Sequence, residues 1–314
     1  MDSHKAIIDK IAQNLTPNIR LNVQVTRIES SSGKDQIPRQ QVTTISNGAE
    51  QTHSFDEVIV AAPMGCLKQN ALTFSPPLPS SILTAIANAS ISSLEKVYLA
   101  FPSAFWDTLP TAPPNSPKET PSPLPGFANF LNPTAYAPAN HHSHALELNP
   151  LSHPDFFGAH AQPALLFTLF GRSGRDLASA LRNIPAASPA HLQTITSFLE
   201  PYYSRLPSYT PSNPACKPTD ALATDWQHDP FAYGSYTNFK THSSERNVEL
   251  DEEVRGMRQG LPERGVWFAG EHVAPFVGLG TSTGAYWSGE MVGMRVLGAW
   301  GMAGRGMSEG DGER

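Results

Sequence analysis

Two short segments near the end of the chain have residue types and spacing that suit a bound nucleotide. The first, Val266-Trp-Phe-Ala-Gly-Glu-His272, is an apolar run that ends in Gly-Glu. The second, Thr281-Ser-Thr-Gly-Ala-Tyr-Trp-Ser-Gly-Glu290, is a turn of small residues that opens an apolar helix. A strand that delivers the Glu271 carboxylate, and a helix whose free N–H groups face a nearby ligand, would together suit a dinucleotide.

The elements that must position these segments follow from hydrophobic periodicity. Predicted helices span 6–15, 80–89, 191–203 and 283–300, and predicted strands span 19–28, 41–45, 55–62, 95–101, 164–170 and 267–269. The strand over 55–62 is a short continuous apolar run, as expected of a strand buried on both faces. A stretch rich in Pro, Asn and Ser over 110–161 predicts an insertion or a mobile lid, and 207–218 is a second proline-rich linker.

Composition and charge exclude several classes of protein. The 314 residues are enough for a sizeable core and one or two domains, and 39% hydrophobic content with 16% charge is typical of a globular protein. A net charge of −6 argues against nucleic acid or an anionic membrane surface as the main partner. No apolar run approaches the roughly 20 residues that span a bilayer. Cys66 and Cys216 are too few for a disulfide framework, so we expect an intracellular, cytoplasmic protein.

Four segments, in the same order, resemble the flavin-containing amine oxidase family, in particular its polyamine oxidase and lysine-specific histone demethylase branch. The first joins Asp56-Glu-Val-Ile-Val-Ala-Ala-Pro-Met-Gly-Cys-Leu-Lys68 to Phe74-Ser-Pro-Pro-Leu-Pro79. In the family this is a strand that leaves the flavin domain, followed by a Pro-x-Gly-x-Leu turn. Any buried strand with a proline turn would look similar, so this segment indicates the family only in combination with the other three.

The second and third segments supply the two residues that the resemblance marks as catalytic. Lys96, in Leu94-Glu-Lys-Val-Tyr-Leu-Ala-Phe101, matches a family lysine that holds a water against the reactive nitrogen of the flavin. The alternative is an edge-strand lysine that points to water and guards against aggregation. Tyr236 follows Trp226-x-x-x-Pro230 and matches a tyrosine that forms one wall of the amine pocket, where aromatic faces attract alkyl chains and cations. A structural tyrosine is the alternative there.

The fourth segment supplies the cofactor-binding residues that the resemblance implies. Glu271 matches a family carboxylate near the ribose and pyrophosphate, and Ser282, Thr283 and Gly284 match the helix start that faces the flavin pyrimidine ring. Thr281, which we group with this turn, stands where monoamine oxidases have a second aromatic wall. Its small side chain favours the polyamine or peptidyl-lysine branch.

Two further positions complete the flavin prediction. Val25 aligns with the family strand whose main chain meets the adenine. Ser235 stands where monoamine oxidases have the cysteine that bonds covalently to the flavin, so the resemblance implies non-covalent FAD. No metal is expected, since the run His141-His-Ser-His144 lies in a Pro/Asn/Ser stretch that favours an unstructured polar loop.

The family pattern also has a part that this sequence lacks. A flavin amine oxidase begins with a strand, a Gly-x-Gly-x-x-Gly turn and a helix that binds the pyrophosphate, and no such motif occurs here. Three explanations are open: a fragment of a longer protein, a flavin-free paralogue, or a missing half supplied by a separate polypeptide. We favour the fragment, because Lys96, Tyr236 and Glu271 are all kept.

The sequence therefore predicts a mixed α/β (α+β) protein. An incomplete FAD-binding, Rossmann-like domain would comprise 1–78 and 223–300, a substrate domain with a mixed sheet and flanking helices would comprise 79–222, and a disordered tail would comprise 301–314. The implied activity is oxidation of the carbon–nitrogen bond of a polyamine or related amine by hydride transfer to flavin, with oxygen reduced to hydrogen peroxide. The alternative is a flavin-free binding module or partner subunit.

Overall fold

The computed structural model describes residues 4–15, 18–31, 39–107, 126–138, 140, 146–239 and 250–302. The run His141-His-Ser-His144, part of the proline-rich stretch and most of the tail predicted over 301–314 lie outside these residues. The described residues form two compact units. Unit 1 contains those within Met1–Ala62, Leu67–Ala87 and Ser244–Arg314, and unit 2 those within Pro63–Cys66 and Asn88–Ser243. The assignment of flavin and substrate domains stays a prediction.

The secondary structure is mixed, which confirms the predicted α/β class. The strands are β1 (Gln24–Ser31), β2 (Arg39–Ser46), β3 (Ala49–Phe55), β4 (Val58–Val60), β5 (Thr73–Ser75), β6 (Ala89–Ser92), β7 (Leu94–Ala100), β8 (Ala128–Asn129), β9 (Leu146–Pro150), β10 (Ala164–Phe170), β11 (Asp220–Ala223), β12 (Tyr236–Phe239) and β13 (Val266–Phe268). The α-helices are α1 (His4–Ala12), α2 (Met64–Lys68), α3 (Ser80–Asn88), α4 (Pro154–Phe157), α5 (Gly171–Leu181), α6 (Pro189–Tyr203), α7 (Leu250–Gln259) and α8 (Ser282–Ala299). No helix in the described ranges is long and apolar enough to cross a membrane.

Unit 1 contains a four-stranded sheet in the order β3-β2-β1-β5, in which only the β1–β5 pair is parallel. The strand predicted over 19–28 begins later, at Gln24. The sequence analysis missed β3, whose residues are mostly polar and exposed and show no alternation. The dipeptide Asn47-Gly48 is a hairpin signal in the sequence that predicts such a strand. Both residues have positive φ angles, as this kind of turn requires.

A second, two-stranded sheet in unit 1 pairs β13 with β4 in parallel. All three residues of β13 are buried, but Ile59 in the middle of β4 is 46% exposed. A strand is therefore present within the predicted range 55–62, but it covers only Val58–Val60, and the exposed Ile59 shows that the prediction of burial on both faces was wrong. The Glu57 carboxylate accepts hydrogen bonds from the indole N–H groups of Trp267 (2.6 Å) and Trp300 (2.8 Å), which fastens the end of α8 beside this pair.

Unit 2 is built on a five-stranded sheet in the order β11-β7-β10-β9-β8. Its pairings are all antiparallel in the described residues, so the predicted mixed sheet was wrong. The core of unit 2 forms where alternate side chains of β7 and β10 pack against buried side chains of α5 and α6. This core contains Val97, Leu99, Leu165, Phe167, Leu169, Leu177, Ile195 and Leu199. A separate antiparallel pair joins β6 to β12.

The proline-rich stretch over 110–161 contains more regular structure than the sequence indicated. Strands β8 and β9 and the short helix α4 lie inside it, and β9 alternates buried and half-buried residues. The segment is therefore not a structureless insertion in its described parts. The alternation of Leu146-Glu-Leu-Asn-Pro150 was hidden among prolines and histidines and spans only five residues.

Candidate functional site

The structure places the predicted site residues in two groups, one in each unit. Lys96 and Tyr236 lie in unit 2, while Val25, Glu271 and the turn Thr281–Gly284 lie in unit 1.

Lys96 lies on β7 with its side chain exposed, next to the buried Glu95. Its main chain is held on both sides by one residue of the segment after β11. The Lys96 N–H donates to Thr224 Oγ1 at 2.9 Å, and the Thr224 N–H donates back to the Lys96 carbonyl, also at 2.9 Å. The backbone is thus fixed while the ammonium group faces solvent. In the described residues β7 is paired with both β10 and β11, so Lys96 is not on an edge strand.

Tyr236 opens β12 and lies opposite Ser92 of β6. The residues before it are fastened to the start of β7, since the Ser235 hydroxyl accepts from the Leu94 N–H (2.8 Å) and donates to the Leu94 carbonyl (2.9 Å). Gly234 has φ 136°, and an added Cβ would overlap Ile91 Cγ2, so only glycine fits. Tyr236 is therefore tied to β7, the strand that carries Lys96, through the hydrogen bonds between the preceding residue Ser235 and Leu94.

Gly65 and Cys66 of unit 2 lie close to the residues that precede Tyr236. Gly65, in the predicted Pro-x-Gly-x-Leu turn, lies directly against the Ala232 carbonyl, where an added Cβ would overlap it. Cys66 is buried, and burial followed by the nearby Asp229 raises the pKa of its thiol, which suits a packed residue rather than a nucleophile.

A buried carboxylate that sequence analysis missed lies beside Lys96. Glu95 is 1% exposed, and its Oε2 accepts hydrogen bonds from Thr224 Oγ1 (2.6 Å) and the Trp226 N–H (3.2 Å). Burial raises the pKa of this carboxyl, although the bonds from Thr224 and Trp226 oppose the change. Its signal was present in the sequence: Glu95 occupies the core-facing row of β7 that continues with Val97 and Leu99.

In unit 1, the loop that carries Glu271 is held from two helices. The Gly270 N–H, at the end of β13, donates to Ser288 Oγ of α8 at 2.8 Å. Arg258 of α7 donates from Nε to the Val273 carbonyl (3.0 Å) and from Nη2 to the Ala274 carbonyl (2.9 Å). The half-buried Glu271 begins the short 3-10 turn between these anchors. Arg258 was not predicted as a site residue, because its carbonyl partners lie 15 and 16 residues further along the chain.

His272 is the most perturbed titratable group of this loop. It is 1% exposed, its Nε2 has no hydrogen-bond partner within the described ranges, and burial lowers its pKa from 6.5 to about 4. Gly270, at φ 134°, lies under the imidazole ring, and an added Cβ would be 2.6 Å from His272 Cε1. The ring is therefore neutral in the folded protein at physiological pH.

Stability of the chain is expected to fall as the pH drops below 6.5. The unfolded chain protonates His272 near pH 6.5 whereas the folded chain resists protonation until about pH 4, so the full stabilising contribution exists above 6.5. Each pH unit between the two pKa values is worth about 1.4 kcal/mol, which gives a loss of about 3 kcal/mol across the window. Urea unfolding of wild type and His272→Leu at pH 7.5 and pH 4 measures it. Equal losses in the two proteins would contradict this assignment.

The start of α8 is a turn in which small residues are required. Thr281 is the N-cap: its hydroxyl accepts from the Gly284 N–H (2.9 Å) and donates to the Gly278 carbonyl (2.7 Å). Gly284 is buried against that same carbonyl, which an added Cβ would overlap. Thr281, Ser282 and Thr283 are exposed. The first turn of an α-helix leaves N–H groups without intrahelical partners, so those of Ser282 and Thr283 are available to a ligand.

Val25 lies apart from these residues, on β1. Its side chain is 39% exposed and lines a cavity of about 560 Å³ together with Val42, Phe55 and Glu57. Neither Glu271 nor the Thr281–Gly284 turn lines that cavity. The Val25 main chain pairs with Thr44 of β2 just before a register shift in the ladder.

Comparison with known protein families shows to which family the chain belongs. A sequence model of the flavin containing amine oxidoreductases matches residues 4–297. The chain belongs to this family. The match covers both units, so the resemblance stated from four segments is confirmed over nearly the whole chain.

Individual relatives within this family are distant, and their own names include two kinds of enzyme. Polyamine oxidase 3 of Oryza sativa subsp. japonica is 27% identical over 298 residues, which are 94% of this chain and 49% of that protein. Lysine-specific histone demethylase 1B of Mus musculus is 25% identical over 293 residues, 91% of this chain and 28% of that protein. Lysine-specific histone demethylase 1 homolog 3 of Arabidopsis thaliana is 32% identical over 105 residues, 33% of this chain and 6% of that protein. The chain thus spans at most about half the length of these relatives.

No group of three or more His, Cys, Asp or Glu side chains in the described parts of the chain is arranged to hold a metal ion.

Proposed function

We propose that this chain forms part of, or acts as, an FAD-dependent amine oxidase that oxidises the carbon–nitrogen bond of a polyamine or related amine. The observation that carries the proposal is the family match over residues 4–297. Relatives named polyamine oxidase, which align over most of the chain, favour the polyamine class. The small Thr281, at the position of an aromatic wall in monoamine oxidases, also supports a larger or longer amine.

The residues of unit 1 fit a flavin. The N–H groups of Ser282 and Thr283, in the first turn of α8, have no intrahelical acceptor and can donate to a ligand. Gly284 allows this turn to pack directly against the Gly278 carbonyl. The positive end of a helix suits an electron-rich ring edge, and Glu271 is placed by Arg258 and Ser288 on the neighbouring loop. The sequence contains no Gly-x-Gly-x-x-Gly, so these residues would hold the ring and ribose portions without that pyrophosphate turn.

The chemistry that FAD supplies when bound is acceptance of a hydride from the carbon beside the amine nitrogen and reduction of oxygen to hydrogen peroxide. The chain supplies placement and charge. Lys96 keeps its ammonium group exposed on a fixed backbone, where it can order a water and stabilise developing negative charge. Tyr236 presents an aromatic face that confines the alkyl chain of the substrate amine. An apolar, aromatic pocket also favours the neutral amine, which is the form that reacts.

Tyr236→Ala is expected to raise KM for a polyamine by about tenfold, with a smaller change in kcat, because loss of the aromatic face removes about 1–2 kcal/mol of substrate binding. Tyr236→Phe is the matched control, since it keeps the ring and should stay near the wild-type KM. Steady-state peroxide formation at varied spermidine measures both. A KM unchanged in Tyr236→Ala would remove this residue from the amine pocket.

The proposal is tested by peroxide formation from a panel of amines in the presence of FAD. Turnover of spermine and spermidine, with benzylamine much slower, is the expected result. Turnover of benzylamine alone would contradict the polyamine assignment. Absence of peroxide with every amine would favour the alternative of a flavin-free binding module or partner subunit.

A further inference from the structure

A buried glutamate breaks the apolar pattern of β7, an inner strand of the five-stranded sheet of unit 2. Glu95 is 1% exposed in a row that continues with Val97 and Leu99, both fully buried. Gly174 of α5 makes room for it, because an added Cβ there would be 3.2 Å from Glu95 Cγ. Removing a carboxylate from water costs several kcal/mol, and a leucine would fill the same layer without that cost. The fold alone therefore does not explain a carboxylate at this position.

The contacts of Glu95 lead directly to Lys96. Its Oε2 accepts from Thr224 Oγ1 at 2.6 Å, and the same hydroxyl oxygen accepts from the Lys96 N–H at 2.9 Å. The carboxylate thus orients the Thr224 hydroxyl so that its lone pairs are left for the lysine backbone. The Thr224 N–H completes the clamp through the Lys96 carbonyl.

The second contact of Glu95 leads to Tyr236. The Trp226 N–H donates to Glu95 Oε2 at 3.2 Å, and the Trp226 carbonyl accepts from the Gly234 N–H at 2.8 Å. The next residue, Ser235, is bonded to the main chain of Leu94 and Ser92. The hydrogen bonds therefore close a ring that starts at Glu95, passes through the 224–235 segment and returns to the residue before Glu95.

We propose that Glu95 is a positioning residue that sets the mutual placement of Lys96 and Tyr236 for amine oxidation. Its relevance to the reaction rests on the proposed function, whereas the placement itself can be measured without any activity. Glu95 touches neither substrate nor cofactor in this account. It acts through Thr224 on the lysine and through Trp226 on the segment that leads to the tyrosine.

Hydrogen exchange, followed by mass spectrometry on the full chain, tests the placement. In Glu95→Leu the Lys96 and Trp226 amides should exchange about tenfold faster or more. The Trp226 N–H loses its acceptor, and the Lys96 N–H loses the orientation that Glu95 imposes on the Thr224 hydroxyl. In Glu95→Gln, whose amide oxygen still accepts, exchange should stay within about twofold of wild type. Glu147→Gln, on β9 of the same sheet and half-buried, is the matched control and should change neither amide.

Thr224→Val keeps the proposal testable if Glu95→Leu does not fold. This variant removes the hydroxyl between Glu95 and Lys96 but keeps the Trp226 contact, so only the Lys96 amide should exchange faster. Unchanged exchange at Lys96 in Thr224→Val would overturn the proposal, as would unchanged exchange at both amides in a folded Glu95→Leu.

Kinetics then separate this proposal from the proposed function. With an active wild type, Glu95→Leu should lower kcat about tenfold or more at unchanged flavin content, and Glu95→Gln should restore most of it. Equal kcat in wild type and Glu95→Leu, or an equal loss in Glu95→Gln and Glu95→Leu, overturns the role of Glu95 in the reaction. An inactive wild type overturns the proposed function instead, and the exchange results still decide whether Glu95 sets the placement.

Discussion

Replacing Lys96 with methionine is expected to lower amine oxidase turnover by about 100-fold while flavin content and folding stay unchanged. The substitution keeps the length and the apolar stem of the side chain and removes only its charge. Because the Lys96 backbone is clamped by Thr224 and paired with β10, the strand should not move. The lost rate would therefore report the electrostatic role of the ammonium group.

Stopped-flow kinetics show which step is slower in Lys96→Met. The flavin is reduced anaerobically with spermidine, and its reoxidation by oxygen is then measured. A slower reoxidation at unchanged reduction rate would assign Lys96 to the oxygen step. Lys217→Met, an exposed lysine of the same unit, is the matched control and should leave both rates at the wild-type value. If Lys96→Met also keeps wild-type rates, Lys96 is an ordinary solvent-facing lysine.

Gly284→Ala is expected to destabilise the chain by about 2–3 kcal/mol and to abolish flavin retention. Its Cβ would overlap the Gly278 carbonyl and come 2.8 Å from Ala274 Cβ. Since the first contact is with backbone, a side-chain rotation cannot relieve it. The start of α8 must shift, and with it the N–H groups of Ser282 and Thr283.

Gly289→Ala, on the same helix, is the matched control because an added Cβ there has nothing within 4 Å. Alanine in an exposed helix interior should stabilise the protein by about 1 kcal/mol. Urea unfolding and flavin content of the two variants measure the contrast. A stable, flavin-retaining Gly284→Ala would show that the tight turn is not required for binding.

The elements that sequence analysis located best are those with long, uninterrupted periodicity. Helices α6 and α8 and strands β7 and β10 were predicted within a few residues. Strands β7 and β10 and helix α6 each bury a row of apolar side chains, whereas α8 was recognised from its long apolar run and buries only Gly284, Ser288 and Val292. Polar or short elements were missed for the opposite reason. Strand β3 depends on its hairpin partner for its hydrogen bonds, and the two-glycine start of α5 disguised a helix that packs against Glu95 and Ser93.

Candidate site residues could be predicted from the sequence only where a residue within a short motif matches a position of the family pattern. Lys96, Tyr236 and Glu271 could be found from short motifs, and their roles stay predictions. What holds them could not be found in this way. Arg258 reaches carbonyl groups 15 and 16 residues away, and Thr224 reaches Lys96 across 128 residues. Such partners are set by tertiary packing, which leaves no local pattern in the sequence.

The absorption spectrum of the purified chain, after incubation with FAD and removal of free cofactor, tests the central claim most directly. The account predicts retained flavin bands at about 450 nm that bleach on anaerobic addition of spermine or spermidine and return with oxygen. A spectrum without flavin bands would contradict the proposal that the residues of this chain hold FAD without a Gly-x-Gly-x-x-Gly turn.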